Sequence, residues 1–146
     1  MLKGESLRLD QYDSVMSLVR EAKGQGVTTA CSILFGSRAR NQGRRDSDAD
    51  IVMLYEFPSE DSYPKNPHLL YVREFGHAFF MRKDLEVFMY NLDRLRQGGI
   101  GDPRIMPIES WVQGLAQDGR VIYGREPLFE GIPFLQYLRG YMALTS

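Results

Sequence analysis

Two apolar segments, joined through a Gly-Ser pair and a pair of acids, constrain the fold of this chain most strongly. Residues 27–35 are rich in β-branched and apolar side chains and are followed by Gly36, which is typical of a buried strand. Residues 49–57 form a second apolar run of strand length, and Asp48 and Asp50 stand at its start. Because residues i and i+2 of a strand share a face, both carboxylates are expected to point the same way.

The rest of the chain alternates between helical and strand patterns. In chain order the predicted elements are a helix at 10–23, a strand at 27–35, a short helix at 37–42, a loop at 43–47, a strand at 49–57, a loop at 58–68, further short strands within 69–81, a strand at 85–90, a helix from 91 to about 98, a helix from about 103 to 118, an extended piece at 121–123 and a helix at 133–144. This order predicts a small α/β or α+β domain with a mixed β-sheet flanked by helices. A length of 146 residues suits one such domain.

Composition excludes several function classes. With 18 Lys and Arg against 19 Asp and Glu, the net charge of −1 favours neither nucleic acid nor an anionic membrane surface, so any polyanion site must be local. No stretch approaches the roughly 18 apolar residues of a membrane span, and the start lacks the apolar core of a signal peptide, so we expect a soluble, cytoplasmic protein. A single cysteine excludes an internal disulfide and a multi-thiolate metal site, and two isolated histidines disfavour zinc. Metal chemistry, if present, must use oxygen ligands.

The acidic pair and the Gly-Ser turn complement each other chemically. Two neighbouring carboxylates such as Asp48 and Asp50 repel unless a cation lies between them, and Mg²⁺ takes carboxylate and phosphate oxygens. Gly36 has no Cβ to keep a phosphate away, and Ser37 offers a hydroxyl and an amide N–H. Four arginines follow within eight positions and are expected to neutralise a triphosphate: Arg38, Arg40, Arg44 and Arg45.

The segment from the Gly-Ser pair to the acidic pair resembles the nucleotidyltransferases related to DNA polymerase β. Their signature is Gly-Ser, a spacer of about ten residues, and Asp-X-Asp on the next strand. Here the spacer at 38–47 has ten residues. The sequences Gly-Ser-Arg-Ala-Arg at 36–40 and Ser-Asp-Ala-Asp at 47–50 are most similar to the minimal nucleotidyltransferases. The motif covers residues 33–54, and the order of elements fits the family from about 10 to 124. The resemblance therefore implies a single nucleotidyltransferase domain over 1–146, with an additional C-terminal helix at about 133–144.

The resemblance also implies roles for individual residues. Gly36, Ser37, Arg38 and Arg40 would bind the phosphates of ATP or another nucleoside triphosphate. Asp48 and Asp50 would bind Mg²⁺ and act in catalysis.

A third carboxylate is expected from a later strand. Asp84 and Glu86 share a face there, so alternation alone does not choose between them. Glu86 lies between Leu85 and Val87, which is closer to the pattern of the family, and it is the predicted third catalytic and metal-binding acid.

The implied function is Mg²⁺-dependent transfer of a nucleoside monophosphate, with ATP as the family's usual donor, to a hydroxyl acceptor. Small members of the family are often antitoxins that modify a partner toxin of the HEPN ribonuclease type. One alternative is an aminoglycoside-type antibiotic nucleotidyltransferase, which needs a further helical domain or a homodimer partner, since few residues follow Tyr123. Another is a non-catalytic module of the same fold that binds nucleotide or protein.

Several other residues have simpler interpretations. Cys31 shares strand parity with Ile33 and is predicted to lie in the core, and Trp111 is predicted to pack there as well. His68 and His77 have no partner pattern and are predicted in surface or loop positions. The aromatic stripe of the last predicted helix is expected to pack in the core or to form a face for self-association or a partner.

Overall fold

The computed structural model describes residues 6–43, 47–58, 63–107 and 109–145. The helices are α1 (Leu9–Gly24), α2 (Pro67–Phe75), α3 (Leu92–Arg94), α4 (Ser110–Asp118) and α5 (Phe134–Thr145). A π-helical turn, Leu95–Gly99, continues α3. The strands are β1 (Thr28–Phe35), β2 (Ala49–Glu56), β3 (His77–Arg82), β4 (Leu85–Asn91), β5 (Arg120–Gly124), β6 (Leu128–Phe129) and β7 (Ile132–Pro133).

Within these ranges the centre of the fold is a five-stranded sheet in the order β3-β4-β2-β1-β5. The β2–β4 pair is parallel and the other three pairs are antiparallel. The predicted α+β domain with a mixed sheet is confirmed. The parallel pair matters for function because it places Asp50 of β2 beside Glu86 of β4.

Side chains alternate between two hydrophobic cores, one on each face of the sheet. On one face, α1 and α2 contribute Val15, Leu18, Leu69 and Val72 to a core with the odd-numbered residues of β2. On the other face, α4 and α5 pack with the even-numbered residues of β2 and with Phe35. Asp50 has the parity of the second face, so the acidic residues lie on the side that α4 covers.

Helix α1 confirms the prediction at 10–23. The Arg8 N–H donates to Gln11 Oε1 at 3.0 Å at its start, and Val15 and Ala22 are fully buried. Tyr12, which has the helical spacing of the apolar residues Val15 and Val19, is nevertheless 36% exposed.

The prediction of strands throughout 69–81 is wrong in its first half. The side chain of Asn66 accepts hydrogen bonds from the N–H groups of His68 and Leu69, Pro67 occupies the first turn, and Gly76 ends the helix with a φ of +96°. These are ordinary start and stop signals of a helix, so α2 forms here. The strand prediction holds for the second half, which forms β3.

Two further helix predictions are corrected. Residues 37–41 form hydrogen-bonded turns instead of a helix. Helix α4 begins at Ser110 and not near 103, because the carbonyl of Asp102 closes a turn by accepting from the N–H groups of Ile105 and Met106, and Pro107 follows without an N–H to donate. The short β6–β7 hairpin was not predicted.

Several further predictions agree with the structure, although the helix predicted from 91 to about 98 is α-helical only over Leu92–Arg94 and has non-helical φ/ψ values at Gln97 and Gly98. The predicted loops at 43–47 and 58–68 lie partly outside the described residues. Asn91 caps α3, the extended piece at 121–123 lies in β5, and α5 matches the predicted last helix. Cys31 is fully buried, as predicted. Among the helices that the structure describes, none is long and apolar enough to cross a membrane.

Candidate active site

The carboxylates predicted from positions far apart in the sequence meet at the start of the parallel strand pair. The register aligns Asp50 with Glu86, and the Glu86 carboxyl acts on the pKa of Asp50. Asp48 lies two residues before Asp50, and its charge acts on the Asp50 carboxyl. All three side chains are partly exposed. The structure thus brings Asp48, Asp50 and Glu86 into one acidic group.

The pKa of Asp50 is raised from 3.8 to about 7. Burial is the largest cause, followed by the hydrogen bond to Glu86 and by the negative charges of Glu86 and Asp48. The positive charge of Arg40 acts in the opposite direction. Since ionised acids this close repel each other, the group favours a proton or a cation between its oxygens.

The backbone of Gly36 lies close to the Asp50 carboxylate. It follows Phe35, which is paired with Asp50, and its φ is +76°. A Cβ built on Gly36 would overlap Asp50 Oδ2 and lie 3.3 Å from Asp50 Cγ. Glycine is therefore required both by the turn and by the space that the Asp50 carboxylate occupies. Ser37 begins the hydrogen-bonded turns that follow, where its carbonyl accepts from the Gln42 N–H at 2.8 Å.

The alternative acid, Asp84, is engaged elsewhere. Its carboxylate forms an ion pair with Arg8 at the start of α1. Its carbonyl accepts from the Ala49 N–H at 2.8 Å and from Gln11 Nε2 at 3.1 Å. The structure therefore joins Glu86, and not Asp84, to the acid group, and it gives Asp84 a role in attaching α1 to the start of β2.

Arg38 lies differently from the phosphate-binding position that the motif implies. Its side chain is fully buried, with Nε and Nη2 donating to the Ser47 carbonyl at 3.0 and 2.8 Å and Nη1 donating to the Ser6 carbonyl at 2.8 Å. Gln11 donates to the same Ser47 carbonyl. These bonds hold the backbone immediately before Asp48. The geometry favours a supporting role for Arg38 over a direct contact with phosphate.

Arg40 is the motif arginine whose charge acts on Asp50 within the described residues. Its side chain is 42% exposed, and Nη1 lies 3.0 Å from Asp118 Oδ2. Asp118, at the end of α4, was not among the predicted site residues, and no motif marks it. Arg44 and Arg45 lie outside the described residues.

An aromatic cluster lies on the same sheet face as the acids. Phe88 follows Glu86 by two residues in β4, and Trp111 of α4 stacks on it with ring centroids 4.5 Å apart. Phe35 lies 5.5 Å from Phe88 and 5.7 Å from Trp111. The packing role predicted for Trp111 is confirmed, but its proximity to the acids depends on the fold and had no signal in the sequence.

The carboxylate oxygens of the acid group are donors that suit a hard divalent cation, with substrate phosphates completing its coordination. Among the residues that the structure describes, no group of three His, Cys, Asp or Glu side chains is arranged to hold a metal ion. Mg²⁺ is often held by one or two carboxylates together with substrate phosphates, so a complete protein ligand set is not required. Burial and the neighbouring charges of Glu86 and Asp48 raise the pKa of Asp50, and its carboxylate lies against the Gly36 turn.

The mixed sheet, the glycine turn and the acids on two parallel strands define the class of protein as one with a nucleotidyltransferase fold. The family model described as nucleotidyltransferase domain matches residues 17–98, more than half of the chain, and the chain belongs to that family. The matched segment contains the Gly-Ser turn and all three acids. Membership supports nucleotidyl transfer and a nucleoside triphosphate substrate at a general level. No curated protein matches the chain.

Proposed function

We propose that this protein transfers a nucleoside monophosphate, AMP from ATP, to a hydroxyl acceptor in a Mg²⁺-dependent reaction. The observation that carries the proposal is the meeting of Asp48, Asp50 and Glu86 beside the Gly36 turn. Family membership supports the transferase class, and the residues of the site support the metal and the nucleotide.

Each part of the site has a distinct task. The Ser37 hydroxyl and the backbone N–H groups of the turn bind phosphate oxygens, and Arg40 contributes positive charge nearby. Asp48 and Asp50 would hold Mg²⁺, which neutralises developing charge on the transferring phosphoryl group. Glu86 would accept the proton of the attacking hydroxyl, a role supported by its place beside Asp50 in the strand register.

The acceptor is proposed to be a hydroxyl side chain of a partner protein, in the manner of an antitoxin that modifies a HEPN-type toxin. This part depends on the resemblance to minimal nucleotidyltransferases. An aminoglycoside acceptor, a homodimeric enzyme and a non-catalytic binding module are the competing outcomes.

The test of the reaction uses purified protein with each α-labelled nucleoside triphosphate, with and without Mg²⁺, and measures pyrophosphate release and transferred label. Asp48→Asn and Asp50→Asn should each lower metal-dependent transfer at least about 100-fold, because each removes a negative charge from the metal site. Asp84→Asn is the matched control, since Asp84 pairs with Arg8 outside the acid group. Full transfer activity in Asp48→Asn would overturn the assignment.

The same assay discriminates among acceptors. Label on a protein encoded beside this chain supports the antitoxin proposal, and label on an aminoglycoside supports the antibiotic-modifying alternative. Tight binding of nucleotide without pyrophosphate release under any of these conditions would establish the binding module instead.

A further inference from the structure

The strand order gives the site two distinct sides. The Gly36 turn follows β1, Asp50 lies in β2, Glu86 lies in β4, and β3 comes next at the edge of the sheet. At about 4.8 Å per strand, β1 and β3 are separated by roughly 14 Å across the site. The acids therefore lie between the phosphate-binding turn on one side and β3 on the other.

An in-line reaction places the leaving pyrophosphate and the acceptor hydroxyl on opposite sides of the site. The attacking and leaving oxygens lie on opposite sides of the reacting phosphorus. If the leaving pyrophosphate is bound at the Gly36 turn, the acceptor hydroxyl must approach over β4 and β3. This direction of approach rests on the nucleotidyl transfer proposed above.

The surface on the β3 side is apolar and exposed. Met81 is directly opposite Glu86 in the β3–β4 register, and Phe79 is opposite Phe88 with ring centroids 4.8 Å apart. Met81 is 58% exposed and Phe79 is 51% exposed. Residues opposite each other in an antiparallel pair share a face, so both side chains lie on the face that carries the acids.

The apolar surface continues around the edge strand onto α2. Tyr71 and Phe75 are exposed there, with ring centroids 4.7 Å apart. A hollow of about 500 Å³ joins Tyr71 to Phe79, and its described lining contains no Asp, Glu, Lys or Arg. Contiguous exposed apolar surface of this kind is characteristic of protein interaction sites. We call Phe79, Met81, Tyr71 and Phe75 the acceptor ledge.

We propose that the acceptor ledge docks a protein acceptor through apolar contacts and places one of its hydroxyl side chains beside Glu86. The charge of the surface selects this occupant. The four ledge side chains are three aromatic rings and a thioether, which pack well against apolar protein side chains, whereas the ammonium groups of an aminoglycoside would find no carboxylate on these four side chains.

The acceptor oxygen forms a bond to the α-phosphorus, and the bond from the α-phosphorus to the bridging oxygen of pyrophosphate breaks. The hydroxyl proton passes to a carboxylate of the acid group, and pyrophosphate leaves on the side of the Gly36 turn. The ledge takes no part in bond making and acts only by positioning.

The test compares two synthetic acceptor peptides that each carry one serine, flanked by leucines in one peptide and by lysines in the other. With labelled ATP and Mg²⁺, the wild-type protein should prefer the leucine-flanked peptide by about ten-fold in kcat/KM, because the flanking side chains bury apolar surface on the ledge. In the double variant Phe79→Ser with Met81→Ser, the preference should fall below about two-fold through a rise in KM. Leu128→Ser is the matched control, since Leu128 is equally exposed (56%) but lies in β6 outside the site.

Two measurements separate failure of this inference from failure of the proposed function. The dissociation constant for ATP and pyrophosphate release without peptide report on the nucleotide site alone. If both are normal, the docking proposal is overturned by equal use of the two peptides, by labelling of neither peptide, or by a leucine preference that survives in the double variant. Labelling of kanamycin, offered as an aminoglycoside acceptor in place of the peptides, would overturn it as well. If neither ATP binding nor pyrophosphate release is detected, the proposed function itself is wrong.

Discussion

Replacing Asp50 by asparagine should stabilise the metal-free protein while abolishing its activity. The raised pKa means that the folded state holds the Asp50 proton more tightly than the unfolded chain does. Between pH 4 and pH 7 the folded state therefore binds more protons, and the free energy of unfolding falls as the pH rises through this window. Above pH 7 Asp50 is ionised in the folded state, and the full loss of unfolding free energy is present. Asparagine cannot ionise, so Asp50→Asn lacks this loss.

The size of the gain follows from the two pKa values. A rise from 3.8 to about 7 spans about three pH units, each corresponding to about 1.4 kcal/mol, which gives an upper limit of about 4 kcal/mol. The carboxyl is partly exposed, and water screens its interactions. We therefore expect Asp50→Asn to gain about 1–2 kcal/mol at pH 8 and nearly nothing at pH 4.5.

Urea denaturation in EDTA, followed by circular dichroism at pH 4.5 and pH 8, measures this difference. Asp84→Asn is the control, because it removes a carboxylate that is paired with Arg8 and so should give no gain at pH 8. Equal effects of Asp50→Asn at the two pH values would refute the reasoning, since they would show that ionising Asp50 does not lower the free energy of unfolding. A loss of stability at pH 8 would refute it as well.

Three further substitutions test the glycine turn, the Arg38 contacts and the α2 cap. Gly36→Ala should lower transfer at least about 100-fold and lower the free energy of unfolding by about 1–2 kcal/mol, because alanine is strained at a φ of +76° and its Cβ meets Asp50. A kinetic assay measures the first effect, and thermal unfolding measures the second. Arg38→Met should cost about 1–3 kcal/mol in urea denaturation, because it removes the guanidinium donors of the partly buried Ser47 carbonyl, and an unchanged midpoint would contradict the supporting role. Asn66→Ala should destabilise the protein by about 1 kcal/mol through loss of the α2 cap while the KM for ATP stays unchanged, and a raised KM would show that α2 contributes to nucleotide binding.

The sequence predicted those elements whose signals are local. Strands β1, β2 and β4 are apolar runs with β-branched residues, and α1 has a clear helical period. Helix α2 was missed because its short apolar pattern fits either period, and the Asn66 cap and the Gly76 stop were the signals that could have identified it. The late start of α4 depends on a turn at Asp102 that resembles a helix start in sequence.

The acidic site was partly predictable for a similar reason. Asp48 and Asp50 lie on one strand, so their shared face follows from the two-residue repeat of a strand. The choice of Glu86 over Asp84 was suggested by flanking residues but could not be derived from alternation. It depends on the register between β2 and β4 and on Arg8, which pairs with Asp84.

The sequence by itself determined the family, the mixed α+β fold and the residues of the Gly-Ser and Asp-X-Asp motif, because these depend on local patterns along the chain. Only the tertiary structure decided that the Arg38 side chain is buried and bound to the Ser47 carbonyl, that Trp111 stacks on Phe88, and that Met81 lies exposed opposite Glu86. Burial and strand register arise from contacts between residues distant in sequence. No pattern within a single segment records them.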